Sequence, residues 1–359
     1  MSVTVYKALK HRILAGKKIY QNNSWKTIPG NAKIWLNGTW HKIGSGAAEN
    51  AVSIPEDPEQ SVTHENGTEP SSGTIWYITP EGAGNMDGSS WANAASGSMI
   101  HAILLSVSNG DSVYFSEGDY TTDRTIVLPA GVNLYGGFDA DTPAWSTRNG
   151  FTKQTVFTGN NAFCWMDGYA ATAGQVVDGF VIKNYYGTIT GSNATLRNSI
   201  VNLGTASLPK ASHCVFISAN ANVSQADYCN FFYGNTAISV SADHVCVYGR
   251  TNLSKVTTSI ELAQYCTAVN CSATGDLFGD NATDCTAVNC SADGDLFGDV
   301  ATNCTATYCS APGGGTKGYI FPDGANNCIA ISSTARNGIF DSGSQYCTAI
   351  NCSDTPYIF

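Results

Sequence analysis

The side chains best suited to chemistry are cysteines, recurring as Cys-x4-Cys at 266/271, 285/290, 304/309 and 347/352. Thiols in such a pattern can form disulfides, hold a soft metal or fill a core. A zinc site wants Cys-x2-Cys spacing or a companion His cluster, and neither is present. The chain has 13 cysteines, an odd number, and its opening MSVTVYKALKHRILAGKK lacks the apolar run of a secretion signal. Free, buried thiols acting as small hydrophobes are therefore expected over a disulfide framework. Cys266 and Cys271 would face opposite sides of one continuous strand, so a turn between them is needed to bring both inward.

Carboxylates recur in the same way, as Asp276/Asp295 and Asp280/Asp299. If each pair occupies neighbouring layers, its members lie about 5 Å apart, near the separation used by retaining glycosidases. Aspartates in turns more commonly cap their own backbone, and that reading is preferred here. A Ca²⁺ site is the weaker alternative, because the glycine-rich calcium repeat is absent. His101, His213 and His244 are scattered, as are the body's lysines and arginines. No His-Glu-x-x-His, P-loop or nucleophile elbow occurs. No catalytic, cofactor-binding or metal-binding residue is assigned.

The element that positions these residues is a repeat. Cys266, Cys285 and Cys304 are spaced by 19 residues, Cys328 follows after 24 and Cys347 after 19, with Phe278, Phe297, Phe321, Phe340 and Phe359 keeping the same intervals. A helical repeat needs two helices and roughly 30 residues. A unit of this length, rich in Thr, Val, Ile and Phe and broken by Gly, Asp and Asn, is one coil of a β-solenoid. The fold class expected is all-β: a right-handed parallel β-helix with a small N-terminal β-hairpin domain.

Three regions are expected. Residues 1–44 contain a second internal repeat, KIYQNNSWKTI and KIWLNGTWHKI, each reading as a β-hairpin. Residues 1–48 carry eight Lys/Arg and no Asp or Glu, while the remainder carries ten Lys/Arg against 28 Asp/Glu. A basic head rich in aromatics suits docking on an acidic partner. Lys17, Lys18, Tyr20, Trp25, Trp35, Trp40 and Lys42 are the candidate anchor contacts. Nucleic acid is the weaker partner for so few charges. Residues 45–73, rich in Glu, Pro, Ser and Gly, read as a flexible linker that is compatible with a short ordered stretch. The β-helix follows over 74–359, with a capping helix near 98–107 whose Ile100, Ile103, Leu104 and Val107 share one face. Membrane insertion is not expected, as no stretch reaches the roughly 20 apolar residues of a spanning helix.

Residues 75–94 (IWYITPEGAGNMDGSSWANA), 110–140 (GDSVYFSEGDYTTDRTIVLPAGVNLYGGFDA) and 176–184 (VVDGFVIKN) resemble the opening of polymorphic outer-membrane proteins and their β-helix relatives in gut bacteria. The resemblance implies a fold and no activity; it places DSVYF, TIVL and VNLYGGF in a first coil. It departs from that family in lacking a secretion signal and an autotransporter barrel. A basic hairpin module joined to a β-helix is similar in architecture to bacteriophage tail spikes, tail fibres and head fibres. That resemblance implies a virion structural protein made in the host cytoplasm. Its partner is a capsid or tail protein held through residues 1–44, its assembly state is homo-oligomeric, with trimers usual, and a glycan is its prospective ligand. The chain stops on Pro356-Tyr357-Ile358-Phe359 within its repeat grammar, so a partner or second copy is expected over the last coil. The alternatives are a virion-borne polysaccharide depolymerase, glycosidase or lyase, and a bacterial surface adhesin. Trp145, Trp165, Tyr185, Tyr186, Phe231, Phe232 and Tyr233 are either carbohydrate platforms or interior stacks.

Overall fold

The computed structural model describes residues 57–354 apart from 169, 173, 191–192, 235, 250–257, 314–317 and 342, together with the backbone of short strands between 14 and 42. It is an all-β parallel β-helix of about 13 turns. Two compact units make up the chain, Pro55–Val247 and Met1–Ile54 with Tyr248–Phe359. Among the described residues no helix is long and apolar enough to cross a membrane.

In the first of these units, strands stack in parallel from coil to coil. Ile75–Thr79 pairs with Ser112–Ser116, which pairs with Asn133–Phe138, and the column continues through Val176–Asp178 and Thr195–Arg197. A second column runs from Gly118–Tyr120 through Thr155–Thr158 to Phe180–Lys183. A third joins Ile126–Val127, Cys164–Asp167 and Gly187–Thr190. Because Leu134 and Tyr135 stack on Val113 and Tyr114, the VNLYGGF segment belongs to the coil after DSVYF, not to the same one. The capping helix spans Ile100–Ser106 and buries Ile100, Ile103 and Leu104, as its 3.6-residue spacing requires.

Four of the seven weighed aromatics are interior. Trp165, Tyr185, Phe231 and Phe232 are buried, and Phe231 stacks on Phe216 at 4.6 Å and 3°. Tyr186 is exposed, whereas Trp145 and Tyr233 are half-buried.

The segment expected as a linker changes character where its described part begins. Residues 57–73 lie along the β-helix as a strap. Gln60 Nε2 donates to the Phe151 carbonyl (3.1 Å), Asn230 Nδ2 to the Ser61 carbonyl (3.0 Å) and Trp145 Nε1 to the Gly67 carbonyl (3.3 Å). Residues 45–56 lie outside the described part.

In the other unit, Thr267–Val269, Thr286–Val288, Thr305–Thr307, Ile329–Ile331 and Thr348–Ile350 form one parallel column, and Ser272–Ala273, Ser291–Ala292, Ser310–Ala311, Thr334–Ala335 and Ser353–Asp354 another. Phe278, Phe297, Phe321 and Phe340 stack inside with centroids 4.9, 4.7 and 5.4 Å apart. The turn required between paired cysteines is a single residue in the left-handed region. Tyr265 and Asn270 have φ of 51° and 55°, and Cys266 and Cys271 follow directly. Each cysteine turns inward, and its Sγ donates to the carbonyl two residues back, at 3.1 Å from Gln264 and 3.3 Å from Val269. Its backbone N–H in turn reaches the Sγ of the next coil, as from Cys266 to Cys285 and from Cys271 to Cys290 (3.4 Å each). None of the thirteen cysteines is in a disulfide. Burial pushes the Cys229 and Cys290 thiols well above their ordinary range.

The described strands of the head form a three-stranded antiparallel sheet, in which Leu14–Ala15 pairs with Lys18–Gln21, and a separate two-stranded hairpin. Lys18–Gln21 pairs with Ser24–Thr27, setting Tyr20 opposite Trp25; Lys33–Leu36 pairs with Thr39–Lys42, setting Trp35 opposite Trp40. Lys17 lies outside the described residues, as do the side chains of Lys18, Tyr20, Trp25, Trp35, Trp40 and Lys42. The terminal Pro356-Tyr357-Ile358-Phe359 is outside them too.

Candidate functional site

The repeated aspartates are turn residues. Asp276 Oδ1 accepts the backbone N–H of Asp295 in the next coil (2.8 Å), and Asp280 Oδ1 accepts that of Asp299 (2.9 Å). Asp295, buried, accepts the N–H groups of Gly318 and Tyr319, both at 2.8 Å. The Asp276, Asp280 and Asp295 carboxylates thus each tie their own coil to the next. Their repetition follows from the repetition of the turn. Among the described residues, no three His, Cys, Asp or Glu side chains come together in a way that could hold a metal ion.

A different charged cluster, not foreseen from the sequence, lies in Pro55–Val247. Asp178 is fully buried against the equally buried Arg148, with 2.7 Å between Oδ1 and Nη1. Arg197 binds its other oxygen, and Asn198 Nδ2 donates to both at 3.0 and 3.1 Å. The Arg148 guanidinium also donates to the Gly136 carbonyl (3.0 Å) and lies 4.7 Å from the Trp145 ring centre. The strap closes over this cluster. Glu65 N–H donates to Asn198 Oδ1 (2.9 Å), and Asn198 Nδ2 donates back to the Glu65 carbonyl (2.7 Å). Gly150 N–H donates to His64 Nδ1 (3.3 Å), so that nitrogen must be unprotonated, while Nε2 faces Asn66 Oδ1 at 3.0 Å. Burial, reinforced by the Arg148 charge, lowers the His64 pKa to about 4. With both carboxylate oxygens engaged and no exposure, Asp178 cannot approach a substrate. The cluster holds the strap in place.

Among the described residues, a regular, half-exposed ribbon runs along Tyr248–Phe359. Its central column is the half-exposed Thr267, Thr286, Thr305, Ile329 and Thr348. One edge is the corner ladder Tyr265, Asp284, Asn303, Asn327 and Tyr346; the other is Asn270, Asn289, Tyr308, Ser332 and Asn351, and all ten residues have φ between 48° and 56°. Neighbouring amides link the rungs, from Asn289 Nδ2 to Asn270 Oδ1 and from Asn327 Nδ2 to Asn303 Oδ1, each at 2.8 Å. Tyr265 and Tyr346, at the two ends of one edge, are 53% and 57% exposed. Asp284 is the single charged residue in these three columns. The ribbon offers hydroxyls, amides and phenol rings, groups that bind without forming or breaking bonds.

The fold places the chain among parallel β-helix proteins. No protein-family model matches it, and no curated protein does. Of solved structures, pectate lyase Pel9A is similar at a TM-score of 0.29 and 14% identity, over 80% of each chain. A rhamnogalacturonan lyase is similar at a TM-score of 0.24 and 15% identity, over 78% of this chain and 88% of that one. Likeness at this level transfers neither an activity nor a site residue.

Proposed function

We propose that the chain is a structural, adhesive protein: residues 1–44 fasten it to a larger particle, a bacteriophage virion in this reading, and the β-helix is displayed to contact a surface. The observation that carries this is the use made of the repeated carboxylates. Asp276, Asp280 and Asp295, three of the four acidic side chains spaced for glycoside chemistry, are engaged in tying coils together, while the adjacent ribbon is regular and carries a single charged residue, Asp284. Support for the virion part comes from the sequence architecture, a basic hairpin module ahead of an acidic β-helix. Co-sedimentation with intact virions tests it, comparing the full chain with a version lacking residues 1–44. Binding by the full chain alone is the expected result, and binding by neither overturns the virion reading. Release of reducing ends or unsaturated sugars from a polysaccharide during the same incubation would favour a depolymerase instead.

A further inference from the structure

We infer that the ribbon bordered by Tyr265 and Tyr346 is a binding face for an extended, uncharged glycan, an inference that rests on the adhesive reading above. The first argument is charge. The chain carries a formal net charge of −10, yet these three columns hold one acidic residue, Asp284, and no Lys or Arg. Nucleic acid and acidic polysaccharides need cations to replace their counterions, so this face does not suit them. The second argument is polarity. Protein interfaces centre on large apolar or aromatic side chains, whereas the centre here is four threonines and one isoleucine, with five asparagines among the ten flanking residues.

The third argument is periodicity. The rungs recur at about 4.8 Å, so donors and acceptors repeat along one line, matching a ligand that is itself a linear repeat of hydroxyls. On each edge one pair of neighbouring amides is linked, Asn270 with Asn289 and Asn303 with Asn327, which fixes the direction of their remaining N–H and C=O groups before any ligand arrives. Preorganisation of this kind lowers the entropic cost of binding. Tyr265 and Tyr346 lie four rungs apart, about 19 Å at that spacing, and give the ribbon an aromatic surface at each end.

Affinity electrophoresis of the full chain tests this, in gels containing soluble mixed-linkage β-glucan, xyloglucan or mannan, with polygalacturonate as the acidic comparator. At least one neutral polysaccharide should retard the protein and polygalacturonate should not. The double variant Thr286→Asp/Thr305→Asp should weaken retention at least tenfold, and Tyr346→Ala should weaken it several-fold, with thermal midpoints checking that both remain folded. Tyr346→Ala decides the matter should the double variant fail to fold. Retention unchanged in a folded variant would show that the glycan binds elsewhere, leaving adhesion intact but overturning the ribbon. Retardation by polygalacturonate alone would overturn the uncharged ligand. No retardation by any polysaccharide overturns the glycan inference, and the virion co-sedimentation result is unaffected by it.

Discussion

At the residue scale, the instructive position is the corner. A side chain with a Cβ in the left-handed region costs about 1–2 kcal/mol, and the β-helix accepts that cost at Tyr265, Asn270 and their equivalents because the next residue then turns inward. That residue must be small, must donate to a carbonyl two residues back and must accept an N–H from the neighbouring coil. Serine meets the same conditions. Ser333 accepts from Cys309 N–H at 3.1 Å and donates to the Ile331 carbonyl at 3.0 Å. Ser199 accepts from Phe180 N–H at 3.2 Å and donates to the Arg197 carbonyl at 2.7 Å. Cys290→Ser should therefore change stability by no more than about 1 kcal/mol, whereas Cys290→Leu, overfilling the corner, should destabilise by about 1–3 kcal/mol. Denaturant unfolding of the two variants makes the comparison. Asp178 poses the opposite case. Asp178→Asn leaves Arg148 buried without a counter-charge, at a cost of about 3–5 kcal/mol, and a fall in melting temperature well beyond that of Cys290→Ser is the expected reading.

At the element scale, the strap over 57–73 converts a stretch of linker-like composition into part of the fold. Its dependence on pH follows from His64, whose folded pKa of about 4 lies below the ordinary 6.5. The docked strap needs the neutral ring, since Nδ1 accepts the Gly150 N–H. Its stability is thus fully present above pH 6.5 and is lost progressively as pH falls toward 4. Hydrogen exchange across residues 57–70 should accelerate over that window, beyond the intrinsic pH trend, while the Thr286–Val288 strand should not. His64→Gln should flatten the dependence. An equal response in strap and strand would point to general acid loosening.

At the scale of the whole molecule, near-identical coils make stability a sum of coil and neighbour terms. Deleting residues 285–303, one complete coil, brings Thr305 beside Thr267 in the register that Thr286 holds now. The shortened chain should keep its far-ultraviolet spectrum and lose only a few degrees of melting temperature. Deleting residues 285–294 instead would set corners against strands, and a folded product from that deletion would refute the register argument.

The 19-residue period and the chemistry within it specify the parallel stack, the internal phenylalanine column and the inward cysteines of Tyr248–Phe359, which form ladders without disulfides. Neighbours in that stack sit one period apart, so local spacing is also spatial spacing. That Asp276 and Asp280 are structural was legible for the same reason, but their partner was not: each caps an N–H of the next coil, 19 residues on, where turn chemistry alone pointed to its own backbone. The ionic cluster was not: Asp178 meets Arg148 from 30 residues away and Asn198 meets Glu65 from 133, and no period links those positions. Composition marked the strap as a tether because its few apolar side chains cannot build a core. Tertiary structure decided otherwise, since backbone groups and one half-buried histidine were enough to seat it on polar partners that the coils supply. The polar ribbon belongs to both levels: the sequence repeats its hydroxyls and amides, and the fold turns that repetition into a line on one face.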